Sequence, residues 1–157
     1  MDNTIFYVIG DTAATRLAVA EGIAALTGAR IVDSQAVYAP IFNLVEHDHP
    51  ADMPDAAWAQ IDVVRGAILK TIETMSPKVW NFVFTHAGFD IPADVGVYRS
   101  VRDLAVRRGA EFQPARLLGG KSKRPLLTFD EAGALDLDIA GMAPADAATL
   151  IVAAKPR

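Results

Sequence analysis

The stretch that most constrains this chain runs from Ile5 to Tyr38, IFYVIGDTAATRLAVAEGIAALTGARIVDSQAVY. Ile5 to Ile9 is an unbroken apolar and aromatic run of strand length. Gly10 interrupts it, and Leu17, Ala20, Ile23 and Ala24 then recur at helical spacing between Ala13 and Leu26. A second short apolar run, Arg30 to Val32, follows Gly28. A crossover of this kind predicts two parallel strands, neighbours in one sheet.

The rest of the chain keeps the alternation. Ser34 to Val45 reads as a helix that Pro40 kinks or splits, and EHDHPADMPD as a loop. Pro54 to Met75 is a longer helix with a stripe of Trp58, Ile61, Val64, Ile68, Leu69 and Ile72. Lys78 to His86 is dense in aromatic and β-branched residues and reads as a buried strand. Asp94 to Arg108 is a helix that Gly109 stops. Phe112 to Leu118 is a fourth strand, with Pro114 predicting an edge or a bulge. Gly119 to Glu131 reads as an open loop, Leu135 to Ala140 as a fifth strand and Pro144 to Ala154 as a last helix. The expectation is an α/β three-layer sandwich with a five-stranded, mainly parallel sheet, in a single domain over residues 1–157. Ligands of such sheets bind at the C-terminal strand ends, where Gly10 to Arg16, Asp33 to Gln35 and Thr85-His86 fall.

Composition narrows the function classes. Net charge is −4, which disfavours a general nucleic-acid binder, and the absence of cysteine excludes disulfides and thiolate chemistry. No apolar run reaches membrane-spanning length, and MDNTIFYVIG lacks the basic flank of a signal peptide. A cytoplasmic protein without membrane or nucleic-acid partners is the expectation. The charge is uneven, however. Between Arg99 and Arg124 lie eight of the fifteen basic residues, opposed only by Asp103 and Glu111. Such a stretch suits a discrete anion such as a phosphate group, and equally a solvated helix face.

The turn after the first strand has a suggestive frame. The P-loop pattern is Gly, four residues, then Gly-Lys-Ser/Thr. Here Gly10 is followed by Asp11, Thr12, Ala13 and Ala14, and then by Thr15, Arg16 and Leu17. The spacing fits, but only the first glycine is kept, and on the motif alone an ordinary strand–helix turn is the better reading.

Longer segments add to it. The opening stretch, WNFVFTHAG, VYRSVRDLAVRRGAEFQPARLL, RPLLTF and LDLDIAGMAPADAATLIV, in this order and spacing, resemble the small P-loop metabolite kinases of the shikimate-kinase, gluconate-kinase and chloramphenicol-phosphotransferase type. The resemblance runs over nearly the whole chain. It implies a P-loop kinase-like fold, and ATP with Mg2+ as cofactors. It also implies phosphate transfer to a small hydroxylated metabolite. Gly10, Asp11, Thr12, Ala13, Ala14, Thr15, Arg16 and Leu17 would form the phosphate loop, with Arg16 in the lysine's place and Leu17 where a magnesium-binding hydroxyl belongs. Asp33 matches the acid that orients the acceptor, and Gln35 replaces its second acid. Arg107, Arg108, Lys121, Lys123 and Arg124 are what a shortened arginine-rich lid leaves to cover a nucleotide. Thr15 at glycine backbone angles would cost on the order of 1–3 kcal/mol, so the loop is expected to relax and cradle phosphate less well. The alternative is a catalytically inactive relative, acting as a nucleotide-binding or protein-interaction module.

Other constellations favour plainer readings. Glu46-His47-Asp48-His49 is too densely spaced for one rigid metal site and reads as a polar loop. Thr85-His86 reaches the site or caps a helix. Trp58 and Trp80 read as core, and Asp136 and Asp138 as a solvated strand face.

Overall fold

The computed structural model describes residues 2–154. Five strands, β1 (Thr4–Ile9), β2 (Arg30–Val32), β3 (Phe82–His86), β4 (Glu111–Leu118) and β5 (Leu135–Asp138), form one sheet in the order β2-β3-β1-β4-β5. All four pairings are parallel. The helices are α1 (Ala13–Thr27), α2 (Ser34–Phe42), α3 (Asp55–Thr74), α4 (Pro92–Arg108) and α5 (Pro144–Ala153), with a 3₁₀ turn at Pro50–Asp52. The α/β architecture expected from the alternation is therefore present, with a sheet that is parallel throughout.

Alternation along β1 divides the core. Ile5, Tyr7 and Ile9 face a cluster with Leu69 and Ile72 of α3 and Val101 and Leu104 of α4. Phe6 and Val8 face the other way, onto Val19, Ala20 and Ile23 of α1 and Ala147, Ala148 and Ile151 of α5. Helices thus cover both faces, which is why β1 and β3 read as continuous apolar runs rather than alternating ones.

The structure corrects several sequence expectations. β1 and β2 are parallel but not neighbours, because β3 lies between them. The fully buried strands β1 and β3 take the centre, and the three-residue β2, largely exposed, takes the edge. Pro114 is neither at an edge strand nor in a bulge, since it pairs in register with Tyr7. β5 joins β4 only from Ala115 onward, so at Pro114 that side of β4 is still open, the setting in which proline is tolerated. The segment 119–131 is not an open loop. Leu127 and Phe129 are buried in the α3/α4-side core, Phe89 and Leu126 form a β-bridge, and the Tyr98 hydroxyl donates to Glu131.

Much of the basic stretch is dispersed into separate contacts. Arg107 pairs with Glu73 (3.1 Å), Arg102 with Glu131 (3.7 Å), and Arg116 with Asp136 through two hydrogen bonds of 2.7 and 2.6 Å. Arg108 is 3% exposed and donates to the carbonyls of Ile72, Ser76, Pro77 and Trp80. It satisfies backbone acceptors at and beyond the C-terminal end of α3. Asp136 is thus an ion-pair partner, and Asp138 accepts from the Ala140 N–H (3.0 Å), so neither is merely solvated.

Gly22 sets how closely α1 approaches α5: a Cβ there would lie 2.7 Å from the Ala148 Cβ. Helix-interior glycine normally weakens a helix relative to alanine by about 1 kcal/mol. At Gly66 in α3, where an added Cβ meets nothing, Gly66→Ala should stabilise the chain by roughly that amount. Gly22→Ala should instead destabilise it by about 1–3 kcal/mol, because the helices must separate. Urea unfolding of the two variants beside the parent checks both signs.

Candidate functional site

At the C-terminal edge of the sheet β1 and β3 end level, Ile9 being in register with His86, while β4, in register with Ile9 at Arg116, runs on to Leu118. From Ile9 the chain turns through Gly10, Asp11 and Thr12 into α1. β1 and β4 are adjacent, and their outgoing connections run to opposite sides, α1 toward β2 and the 119–134 segment toward β5. Ligands of such sheets bind at this divergence. A cavity of about 300 Å³ lies there, lined among others by Asp11, Arg116, Gly119, Gly120 and Arg124.

The turn is shorter than the sequence frame suggested. Helix α1 begins at Ala13, so Ala13 to Leu17 are helical rather than part of a phosphate-wrapping loop. The Arg16 N–H already bonds the Thr12 carbonyl (3.1 Å). Among the described residues the only non-glycine with positive φ is Asn3, so Thr15 sits unstrained in helical geometry. The residues expected to form a loop are instead the first turn of α1. Gly10 is buried beneath, where a Cβ would come within 3.1 Å of the Leu117 Cβ.

The N–H groups of Ala13, Ala14 and Thr15 precede the first α-helical hydrogen bond, and the Thr12 side chain does not cap them. Beside them, Arg16 is 4% exposed and donates from Nη1 to the Gly10 carbonyl (2.5 Å), while its Nε has no partner. Burial lowers the Arg16 pKa, and Asp33 leads the charges that oppose the shift. A buried cation in the first turn of a helix also works against the helix dipole. The arrangement suits an anion.

Asp33 ends β2 and precedes α2. Thr85, at the neighbouring end of β3, donates to its Oδ1 (2.5 Å) and accepts from the Ser34 N–H (3.2 Å). Thr85 therefore fixes the carboxylate and caps the helix at once. Next to it is a polar cluster of which the sequence reading named only His86. The Gly88 N–H donates to His86 Nδ1 (3.3 Å), so Nε2 carries the proton and donates to the Tyr38 hydroxyl (2.8 Å). Asp94 lies 3.8 Å from Nε2 and accepts the Phe89 N–H through its other oxygen (2.9 Å). The Arg65 guanidinium lies 5.8 Å from the centre of the Tyr38 ring. A small enclosed cavity of about 20 Å³ is lined here by Tyr7, Ser34, Arg65, Thr85 and His86 among others. Tyr38 also packs with Phe42 and Trp58, so Trp58 belongs to the aromatic wall of this side.

The structure does not gather all the residues expected at a nucleotide. Arg124 is at the correct end, its guanidinium 4.2 Å over the Phe89 ring, and Lys121 and Lys123 are exposed on the same segment. Arg107 and Arg108 close α4 and precede β4, at the opposite end of the sheet, so they cannot cover a ligand at the turn. Among the described residues no group of three His, Cys, Asp or Glu side chains is placed to hold a metal ion. The residues missed, Arg65 and Asp94, each follow or precede apolar helix positions. An isolated charge beside such a stripe is the signal that marks them.

No family model matches the sequence, and no curated protein matches it either. Solved structures do. A candidate kinase from Chloroflexus aurantiacus superposes with a TM-score of 0.67 at 9% identity, over 97% of this chain and 94% of that one. A gluconokinase from Sinorhizobium meliloti gives 0.57 at 12%, over 96% and 90%. A sugar kinase from a Janibacter species gives 0.52 at 16%, over 96% and 92%. The chain shares the α/β fold of these kinases. No helix among the described residues is long and apolar enough to cross a membrane.

His86 gives a test of the site's electrostatics. Burial, then the charges of Arg65 and Arg16, lower its pKa from 6.5 to about 3. The unfolded chain therefore binds a proton near pH 6.5 that the folded chain refuses until about pH 3. The His86 contribution is fully present above pH 6.5 and is lost as pH falls through that window, by at most about 1.4 kcal/mol per pH unit. Burial raises the Asp94 carboxyl pKa, and this works in the opposite direction at the acid end. Urea unfolding between pH 7 and 4 should show a shallower acid loss in His86→Asn than in the parent.

Proposed function

We propose that this chain binds the phosphate end of a nucleoside triphosphate at the N-terminus of α1 and transfers phosphate to a small hydroxylated metabolite. The observation that supports this reading most is Arg16, a buried guanidinium with an unpartnered Nε beside three uncapped helical N–H groups. In this reading the helix terminus and Arg16 hold phosphate oxygens, and Arg124 closes the cavity at the β1/β4 divergence. Asp33, fixed by Thr85, accepts the hydrogen bond of the acceptor hydroxyl and aims its oxygen at the phosphorus. ATP supplies the transferable phosphoryl group. Magnesium fits less well: Leu17 brings no oxygen, and Asp11 is engaged with Ser122 and Thr12.

The same two facts favour a second reading, a binding module that holds a nucleotide or a protein partner without transfer. A three-residue turn cannot wrap a polyphosphate with successive N–H groups.

A thermal melt with millimolar ATP separates these readings from an ordinary strand–helix turn. At a hundredfold its Kd a ligand adds about 2.7 kcal/mol, a Tm rise of roughly 5–10 °C for a chain of this size. The proposal expects that rise with little dependence on magnesium, and no rise in Arg16→Met. An unchanged Tm would overturn nucleotide binding. Asp33→Asn should abolish turnover while leaving the ATP shift in place. If ATP shifts the melt but no hydroxylated acceptor is phosphorylated, the second reading stands.

A further inference from the structure

Asp11 has no role in the reading above. It is a carboxylate inside the turn proposed to attract anions, at the mouth of the divergence between β1 and β4. Its Oδ2 accepts the Ser122 N–H (2.6 Å), and its Oδ1 accepts the Thr12 hydroxyl (3.2 Å). The Ser122 contact spans most of the chain and draws the exposed strap Gly119-Gly120-Lys121-Ser122-Lys123-Arg124 onto the turn. Gly120 makes the approach possible, because a Cβ there would fall inside the Asp11 carboxylate. Among the described residues, Asp11 is the only one outside the strap that hydrogen-bonds it between Gly119 and Lys123. Its further end is held independently, by Arg124 on Phe89 and by the Pro125 carbonyl accepting the Asp90 N–H (2.9 Å).

We infer that Asp11 is a latch: its carboxylate holds the strap 119–124 shut over the N-terminus of α1, and an incoming anion must displace it. The carboxylate brings negative charge to the place a phosphate oxygen would approach, so latch and phosphate repel one another. Release removes one charge-assisted hydrogen bond from the strap and widens the mouth of the 300 Å³ cavity, which already meets solvent. A strap fastened by one such contact at an exposed site opens readily, which suits a switch rather than a permanent wall. The displacement half rests on the phosphate reading of the turn, and the fastening half does not.

Limited trypsin digestion tests the fastening without any ligand. Lys121 and Lys123 are the cleavable positions in the strap, since the Arg124–Pro125 bond resists trypsin. Cleavage of a transiently opened segment follows its open population. Asp11→Ala should therefore be cut there about fivefold to tenfold faster than the parent, with an unchanged thermal melt. Gly120→Ala, which pushes the carboxylate aside from the strap's own side, should match it. Asp11→Asn keeps an acceptor for the Ser122 N–H and should fall between. Parent-like cleavage in both Asp11→Ala and Gly120→Ala overturns the latch.

Calorimetry with pyrophosphate then tests the displacement. Asp11→Ala should bind pyrophosphate about tenfold more tightly than the parent. Faster cleavage with equal, measurable pyrophosphate affinity in both proteins overturns the displacement. Faster cleavage with no pyrophosphate bound by either protein supports the latch and overturns the phosphate reading of the turn.

Discussion

Everything in this structure depends on the burial of β1 on four sides. Its two edges are paired with β3 and β4, and its two faces are covered by α3/α4 and by α1/α5. Ile5 to Ile9 have no exposed surface. A strand enclosed in this way cannot slip, because a one-residue shift would exchange its two sets of side chains between different helix layers. Its end is therefore a fixed point, and the first groups able to meet water or a ligand belong to the turn that follows it. Gly88 shows how tightly this end is packed. It adopts φ +72°, and a Cβ there would lie 2.5 Å from the Ile9 side chain. The β3–α4 connection can pass beside β1 only as glycine, and in passing it aims the Gly88 N–H at His86 and fixes that ring's tautomer.

The two buried arginines show how one residue type serves two ends of the sheet. Arg108 turns both terminal nitrogens onto four carbonyls, so its charge is spread over backbone acceptors that would otherwise lack partners. Arg16 holds a single carbonyl and, among the described residues, forms no ion pair within 4 Å. The carboxylates of Asp33, Asp11 and Asp94 act on it only at longer range. Both arginines leave a buried Nε unpartnered, so the difference lies in the terminal nitrogens. Those of Arg108 hold four carbonyls and tie α3 to the loop after it, whereas those of Arg16 hold one, which is why an anion is proposed at Arg16 and not at Arg108.

The sequence made the elements legible and their neighbours much less so. Apolar runs and helical spacing located the five strands and five helices, because burial on one or both faces leaves a local pattern. Adjacency leaves none. Nothing in Arg30 to Val32 reveals that β3 separates it from β1, and only its shortness hints at the edge. Arg107 and Arg108 looked like lid residues by their place in a basic stretch, but whether a helix-terminal charge faces one end of the sheet or the other is decided by strand direction. The buried part of the 119–131 segment leaves no periodic pattern because Leu126, Leu127 and Phe129 form only a short apolar patch, and Phe129 is covered by Tyr7 and Tyr98, which are distant in sequence. Of the site, Arg16, Asp33 and Thr85-His86 were visible as strand-end positions. Arg65 and Asp94, which act on His86 and Tyr38 through space, were not.

The likeness to kinases at 9–16% identity is itself informative about what the fold conserves. Sheet order and helix layers depend on apolar volume and pattern, which many sequences satisfy. A phosphate loop depends on particular backbone angles, which few sequences satisfy. Ala13 and Ala14 are good helix formers and Thr15 takes helical angles without strain, so α1 begins at Ala13 and the turn after β1 is only Gly10, Asp11 and Thr12. A phosphate at such a terminus meets its N–H groups end-on, at one phosphoryl group, rather than being wrapped along a chain of them. In the proposed phosphate reading, selectivity would then rest on side chains rather than on the backbone of a loop: Arg16 in the first turn of α1, Arg124 on the cavity wall and Asp11 opposing both.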